Sequence, residues 1–190
     1  MAGPHPVTFD VEYPERLSRW KIFFKWIFIL PQAVVLAFIG FAFSFTTFFA
    51  FFAVLFTGRY PRGFFDFGVS FLRWQANVGA YAGLLRDEYP PFSGTEGQYA
   101  PVTLAIEYPE RLNQILVLFR IFTVIPAGVF LILVSIAASV VQFIAWWAIL
   151  FTGKMPRGMF GFLVGFQRLS VRVTAYYYFM TDRYPPFNLS

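Results

Sequence analysis

The chain has 190 residues, of which 58% are hydrophobic, 23% aromatic and only 13% charged, with a net charge of +5. A soluble domain carries about 25% charged residues, so a chain with a mean hydropathy of +0.60 cannot clothe an ordinary water-facing surface and reads as an integral membrane protein. With no cysteine and one histidine, it is without the means for disulfide frameworks, thiolate catalysis, iron–sulfur clusters or imidazole-based haem and metal sites.

The single histidine, His5, sits in a proline-rich lead and has no assigned role. Val7, Phe9, Val11 and Tyr13 then alternate with Thr8, Asp10 and Glu12, which predicts a short half-buried strand over 7–13 outside the membrane. Pro14 suits a first helical position, and Glu15 complements the positive end of that helix. Glu15, Ser18 and Lys25 recur at near-helical spacing among aromatic and aliphatic residues, which predicts an interfacial amphipathic helix over 14–30.

From Ile22 to Phe56 the strongly polar residues are Lys25 and Gln32 alone. A bilayer core needs about 20 apolar residues, so this run is too long for one straight span. Pro31 supplies an elbow, and a span over 32–57 follows. Gly58 is a natural helix terminator, and a basic turn leads to Pro61, which starts a helix over 61–86. On that helix Arg62, Asp66, Ser70, Arg73 and Asn77 fall in one polar stripe. The helix either lies flat with its stripe in water or crosses with the stripe facing other helices. Its reach of about 39 Å favours crossing.

All of this returns 95 residues later without a gap. Pro6-Val7-Thr8 recurs as Pro101-Val102-Thr103, and Glu12-Tyr13-Pro14-Glu15-Arg16-Leu17 as Glu107 to Leu112. The Leu55 to Gly63 turn recurs as Leu150 to Gly158, and Asp87-x-Tyr89-Pro90-Pro91-Phe92 as Asp182 to Phe187. The chain is therefore two tandem units, 1–95 and 96–190. The second holds a strand over 102–108, an interfacial helix over 109–125, and spans over 127–152 and 156–181. Its stripe reads Arg157, Gly161, Gly165, Arg168 and Arg172.

The expected fold is an all-α membrane protein of two hairpins, four spans in total, with a small external strand pair. An even number of spans per unit makes the repeats parallel about an axis along the membrane normal, and lets the strands pair antiparallel. The excess of Lys and Arg beside the termini places them in the cytoplasm.

At the Tyr-Pro-Glu-Arg-Leu, Leu-Phe-Thr-Gly-Arg-Tyr-Pro-Arg-Gly and Glu-Tyr-Pro-Pro-Phe motifs, the chain resembles a prokaryotic membrane domain of unknown function, here in two copies. The resemblance implies a bacterial or archaeal inner-membrane protein and no particular activity. The second copy departs from the motifs at Lys154-Met155, Thr181 and Arg183.

Two constellations carry functional expectations. The basic turns, Arg59 with Arg62 and Lys154 with Arg157, suit anionic lipid headgroups. Arg73, Arg168 and Arg172 would each cost about 2.5–3.5 kcal/mol at mid-bilayer. They therefore imply a polar seam between repeats, a neighbouring subunit, or an anion pathway, while Asp66 is the natural partner of Arg62 at i, i+4. No nucleophile–base pair, phosphate loop or metal-ligand cluster is present, so no catalytic, cofactor or metal residue is assigned. The expected role is an accessory or scaffolding subunit, partnered by the lipid bilayer and by other membrane subunits or a second copy, with no nucleic acid. The competing expectation is an anion- or lipid-handling channel or transporter lined by the arginine stripes.

Overall fold

The computed structural model describes residues 5–189. In chain order the elements are β1 (Val7–Val11), α1 (Lys21–Thr57), α2 (Arg62–Ala82), β2 (Val102–Ile106), α3 (Gln114–Thr152) and α4 (Arg157–Tyr177). The unit boundaries at residues 1 and 190 lie outside the described residues.

The two strands pair antiparallel, with Val7 opposite Ile106, Phe9 opposite Leu104 and Val11 opposite Val102. Phe9 and Leu104 are repeat equivalents, so a pseudo-two-fold axis passes through the centre of the ribbon. One face of the ribbon is buried and the other, with Thr8 and Asp10, is exposed. The buried face rests on the second layer, α2 and α4, which in turn packs on a third layer, α1 and α3.

Long apolar helices fill that third layer. α1 has 37 residues and α3 has 39, and both run unbroken through Pro31 and Pro126. The expected elbows do not form. A proline costs about 3 kcal/mol in a helix interior, but a break would strand up to four acceptors at one new end and four donors at the other. Both helices stop on a left-handed glycine, Gly58 at φ 68° and Gly153 at φ 69°. Among the described residues α1 and α3 are the helices long and apolar enough to cross a membrane, and α2 and α4 are not, so four spans are not supported.

The interfacial helices over 14–30 and 109–125 are also corrected. Residues 14–20 and 109–113 are irregular, because tertiary partners claim the backbone groups a helix would use. The Leu17 N–H donates to the Gly153 carbonyl at 2.9 Å, and the Leu112 N–H to the Gly58 carbonyl at 2.8 Å. The Ser18 and Asn113 N–H groups donate to the carboxylates of Asp87 and Asp182.

Those contacts also set direction. The end of α1 meets the start of α3 and the end of α3 meets the start of α1, so the two long helices are antiparallel. Two long spans that cross in the same direction, as expected from two crossing hairpins, are thereby excluded, while the two-fold relation between the repeats stands. α2 and α4 end earlier than 86 and 181, in matching turns where Leu84 and Phe179 adopt φ 62°. The Leu85 N–H reaches back to the Ala80 carbonyl and the Met180 N–H to the Ala175 carbonyl, which closes each helix end. Burial of the Leu84 side chain offsets the strain of that left-handed backbone.

Each strand is exchanged. β1, from the first unit, packs on α4 of the second, and β2 packs on α2 of the first. The Tyr13 hydroxyl donates to the Met155 carbonyl, and the Tyr108 hydroxyl to the Tyr60 carbonyl, again across units. Units 1–95 and 96–190 are therefore sequence repeats and not separate folding units. Expressed singly, each half should be protease-sensitive, whereas co-expression should recover a protease-resistant pair in detergent; limited proteolysis checks this.

Candidate functional site

A two-stranded ribbon has two open edges. Glu12 and Glu107 donate across the ribbon to Pro101 and Pro6, so the alternate residues Val7, Phe9 and Leu104 turn their carbonyls outward. The stripe arginines meet those carbonyls. Arg73 donates through Nε to Leu104 O at 3.2 Å and through Nη1 to Gly94 O at 3.0 Å, with the Glu96 carboxylate at 3.3 Å. Arg168 repeats the pattern with Phe9 O at 2.9 Å, Leu189 O at 3.2 Å and Asp10 at 3.4 Å. Arg172 Nε lies 3.4 Å from Val7 O. Asn77 takes the equivalent place on α2 and is buried. The guanidinium fork supplies several donors in one plane, which is why arginine serves here and a point-charge lysine would not.

Packing under the clamps is tuned separately in each copy. A Cβ at Gly94 would stand 1.7 Å from the Ser70 carbonyl, so the loop must be glycine there. In the second unit the loop residue is Leu189 and the helix residue is Gly165, where a Cβ would lie 2.7 Å from Leu189. The small residue has changed sides and the close approach is kept.

A second pair of clamps, not anticipated as functional, joins the long helices to the segments leaving α2 and α4. Lys25 is 1% exposed and Arg120 is 2% exposed. Lys25 Nζ lies 2.9 Å from Asp87 and donates to Arg86 O at 2.6 Å, above the Tyr81 ring. Arg120 pairs with Asp182, donates to Tyr176 O and Thr181 O at 2.7 and 2.6 Å, and lies over the Tyr176 ring. The recurrence of both the cation and the acid at the repeat offset was the legible signal. Gln32 adds a bond to Pro90 O and accepts from Trp74 Nε1, both at 2.7 Å. The equivalents of Gln32 and Trp74, Ala127 and Leu169, pack apolar instead.

The basic turns are exposed. Arg62 pairs with Asp66 at 3.2 Å and stacks on Tyr108, while Arg157 stacks on Tyr13. Arg59 and Lys154 stand exposed in turns closed by the Thr57 and Thr152 hydroxyls, which accept their N–H groups. The sequence-assigned residues thus divide into two groups. Arg73, Asn77, Arg168 and Arg172 lie at the ribbon, and Arg59, Arg62, Asp66, Lys154 and Arg157 lie at two distant ends of the slab.

Opposite the ribbon, α1 and α3 are inside out. Their buried stripes hold Lys25, Gln32 and Arg120, while Phe38 is 73% and Phe56 76% exposed. Two grooves of about 450 and 520 Å³ open between these helices and are repeat equivalents. Ser44, Phe48 and Phe51 line one, and Ser139, Phe143 and Trp146 the other.

Two outcomes follow from this geometry. Arg168→Ala should destabilise the fold by about 2–3 kcal/mol, because charged hydrogen bonds are lost and carbonyls are left bare. Arg168→Lys should recover less than half of that; chemical denaturation in detergent measures both. The second outcome concerns pH. Burial and the nearby Arg172 charge lower the His5 pKa from 6.5 to about 4, and Nδ1 accepts the Val7 N–H at 3.1 Å. A folded-state pKa below the unfolded one makes a stabilising contribution that is present above pH 6.5 and declines as pH falls through about 4. The only imidazole resonance of the chain should titrate near 4 by NMR, and a midpoint near 6.5 would contradict the half-buried placement.

No curated protein and no solved structure matches the chain. A family model for a domain of unknown function, DUF4389, matches residues 19–94 and again residues 115–188. These two regions hold α1 with α2 and α3 with α4, together with the acidic clamps at Asp87 and Asp182. The chain belongs to the DUF4389 family and carries two tandem copies of its domain.

Proposed function

We propose that the protein is a non-catalytic membrane protein that lies within one leaflet as an accessory or scaffolding subunit. α1 and α3 rest in hydrocarbon, α2 and α4 lie at the interface, and the ribbon faces water. The observation that carries this reading is the inside-out character of α1 and α3, which bury Lys25, Gln32 and Arg120 and expose phenylalanine. In water such a surface would be a large uncovered apolar patch. In a bilayer it is the correct solvent match.

Lying flat is favoured over crossing on two grounds. A helix of 37 residues measures about 55 Å, nearly twice the hydrocarbon core of about 30 Å. Crossing would also set the ribbon at mid-height, because Arg73 and Arg168 hold it against the middles of α2 and α4. Asp10 and Glu96, with exposed side chains, would then meet lipid tails at several kcal/mol each. The basic ends of the slab favour the cytoplasmic leaflet of a prokaryotic inner membrane. Arg73 and Arg168 favour a scaffold over a conduction path, since their donors are committed to ribbon and loop carbonyls.

The absence of native cysteine makes the test direct. Single cysteines replacing Arg59, Glu96 and Lys154 should all react with an impermeant maleimide from one side of sealed vesicles. Because α1 and α3 are antiparallel, labelling of the first and third positions from opposite sides would mean that the long helices cross.

A further inference from the structure

We propose that the corner where the α3–α4 turn meets the lead-in of α1 binds the phosphate of an anionic lipid headgroup, and that the opposite corner does not match it. The inference rests on the membrane placement above. Two adjoining openings of about 380 and 320 Å³ share Arg16 and Lys154 in their walls. Arg19 completes the first, and Glu15 and Arg157 the second.

These groups come from both repeats and are held in place. The Leu17 N–H bond to Gly153 O ties the two segments together. The Arg19 guanidinium lies across the turn, 3.4 Å from where a Gly153 Cβ would be. Arg157 is fixed over the Tyr13 ring at 5.0 Å. Lys25, Arg62, Arg73, Arg86, Arg120 and Arg168 all have carboxylate partners, but among the described residues none of these four cations forms an ion pair. Four cations against one carboxylate repel one another unless an anion sits between them, and guanidinium forks suit phosphate oxygens.

The opposite corner shows what the repeat leaves behind when this selection is absent. There Gln114 replaces Arg19, and Arg62 is neutralised by Asp66, whose equivalent here is Gly161. The source of the phosphate follows from position. Trp20 and Phe151, both widely exposed, flank the corner at the rim of the apolar slab, where headgroup phosphates lie.

Native mass spectrometry of the full chain, released from phosphatidylcholine nanodiscs containing phosphatidylglycerol, tests this. One phosphatidylglycerol should remain bound, and the double variant Arg19→Gln with Lys154→Gln should weaken its retention about tenfold, or roughly 1.4 kcal/mol. Arg59→Gln with Arg111→Gln, the matched change at the other corner, should weaken it less than about twofold. Equal losses from both doubles, or no preference over phosphatidylcholine, would overturn the site. Displacement of the lipid by inorganic phosphate would assign the corner to a free anion and overturn the lipid source. Flotation on pure phosphatidylcholine vesicles separates the two proposals. A wild-type chain that does not float overturns both, and one that floats without headgroup preference overturns this one alone.

Discussion

Outward-facing carbonyls on a ribbon of two strands have no third strand to meet, and in this fold guanidinium groups meet them. Arg73 and Arg168 rise from the middles of α2 and α4 and bind the free edges of β2 and β1. Because each strand belongs to the other repeat, satisfying these carbonyls also locks the repeats together. The open-edge hazard of a short sheet and the desolvation of two arginines are resolved by the same contacts. The exchange sets the remaining geometry: antiparallel long helices, a ribbon at mid-length, and turns at opposite ends of a slab.

The long helices answer a different constraint. A helix that buries Lys25 and Gln32 and exposes a continuous set of phenylalanines gains little from packing in water. Its buried stripe contributes specificity through Lys25–Asp87 and Arg120–Asp182, which anchor the irregular lead-in segments and the departing chain at the same carboxylates. Breaking such a pair by removing one partner is costly because the other remains charged and buried. That accounts for the acid and the cation recurring together at equivalent places in both copies.

Duplication followed by local adjustment is visible in side-chain volumes and charges. Ser70 with Gly94 and Gly165 with Leu189 reach the same close approach by opposite choices. Gln32 with Trp74 is polar where Ala127 with Leu169 is apolar. Arg62 with Asp66 is paired where Arg157 faces Gly161. The backbone frame tolerates each exchange because the compensating residue lies in the same copy, directly opposite.

The sequence by itself determined the repeat, the two strands, the glycine stops at Gly58 and Gly153, and the apolar character of α1 and α3. All of these are local, written in periodicity, motif recurrence and turn chemistry. The elbows at Pro31 and Pro126 and the helices from Pro14 and Pro109 were misread, because local rules count the bond a proline removes and cannot see the partners that Gly153, Gly58 and the two aspartates supply. The stripe holding Arg62, Arg73 and Asn77 was legible as a stripe, but its purpose was not. Only the tertiary structure decided that β1 sits on α4 and β2 on α2, since strand exchange depends on which distant edge an arginine can reach. The antiparallel course of α1 and α3 follows from that choice, and hydropathy, which carries no direction, could not supply it.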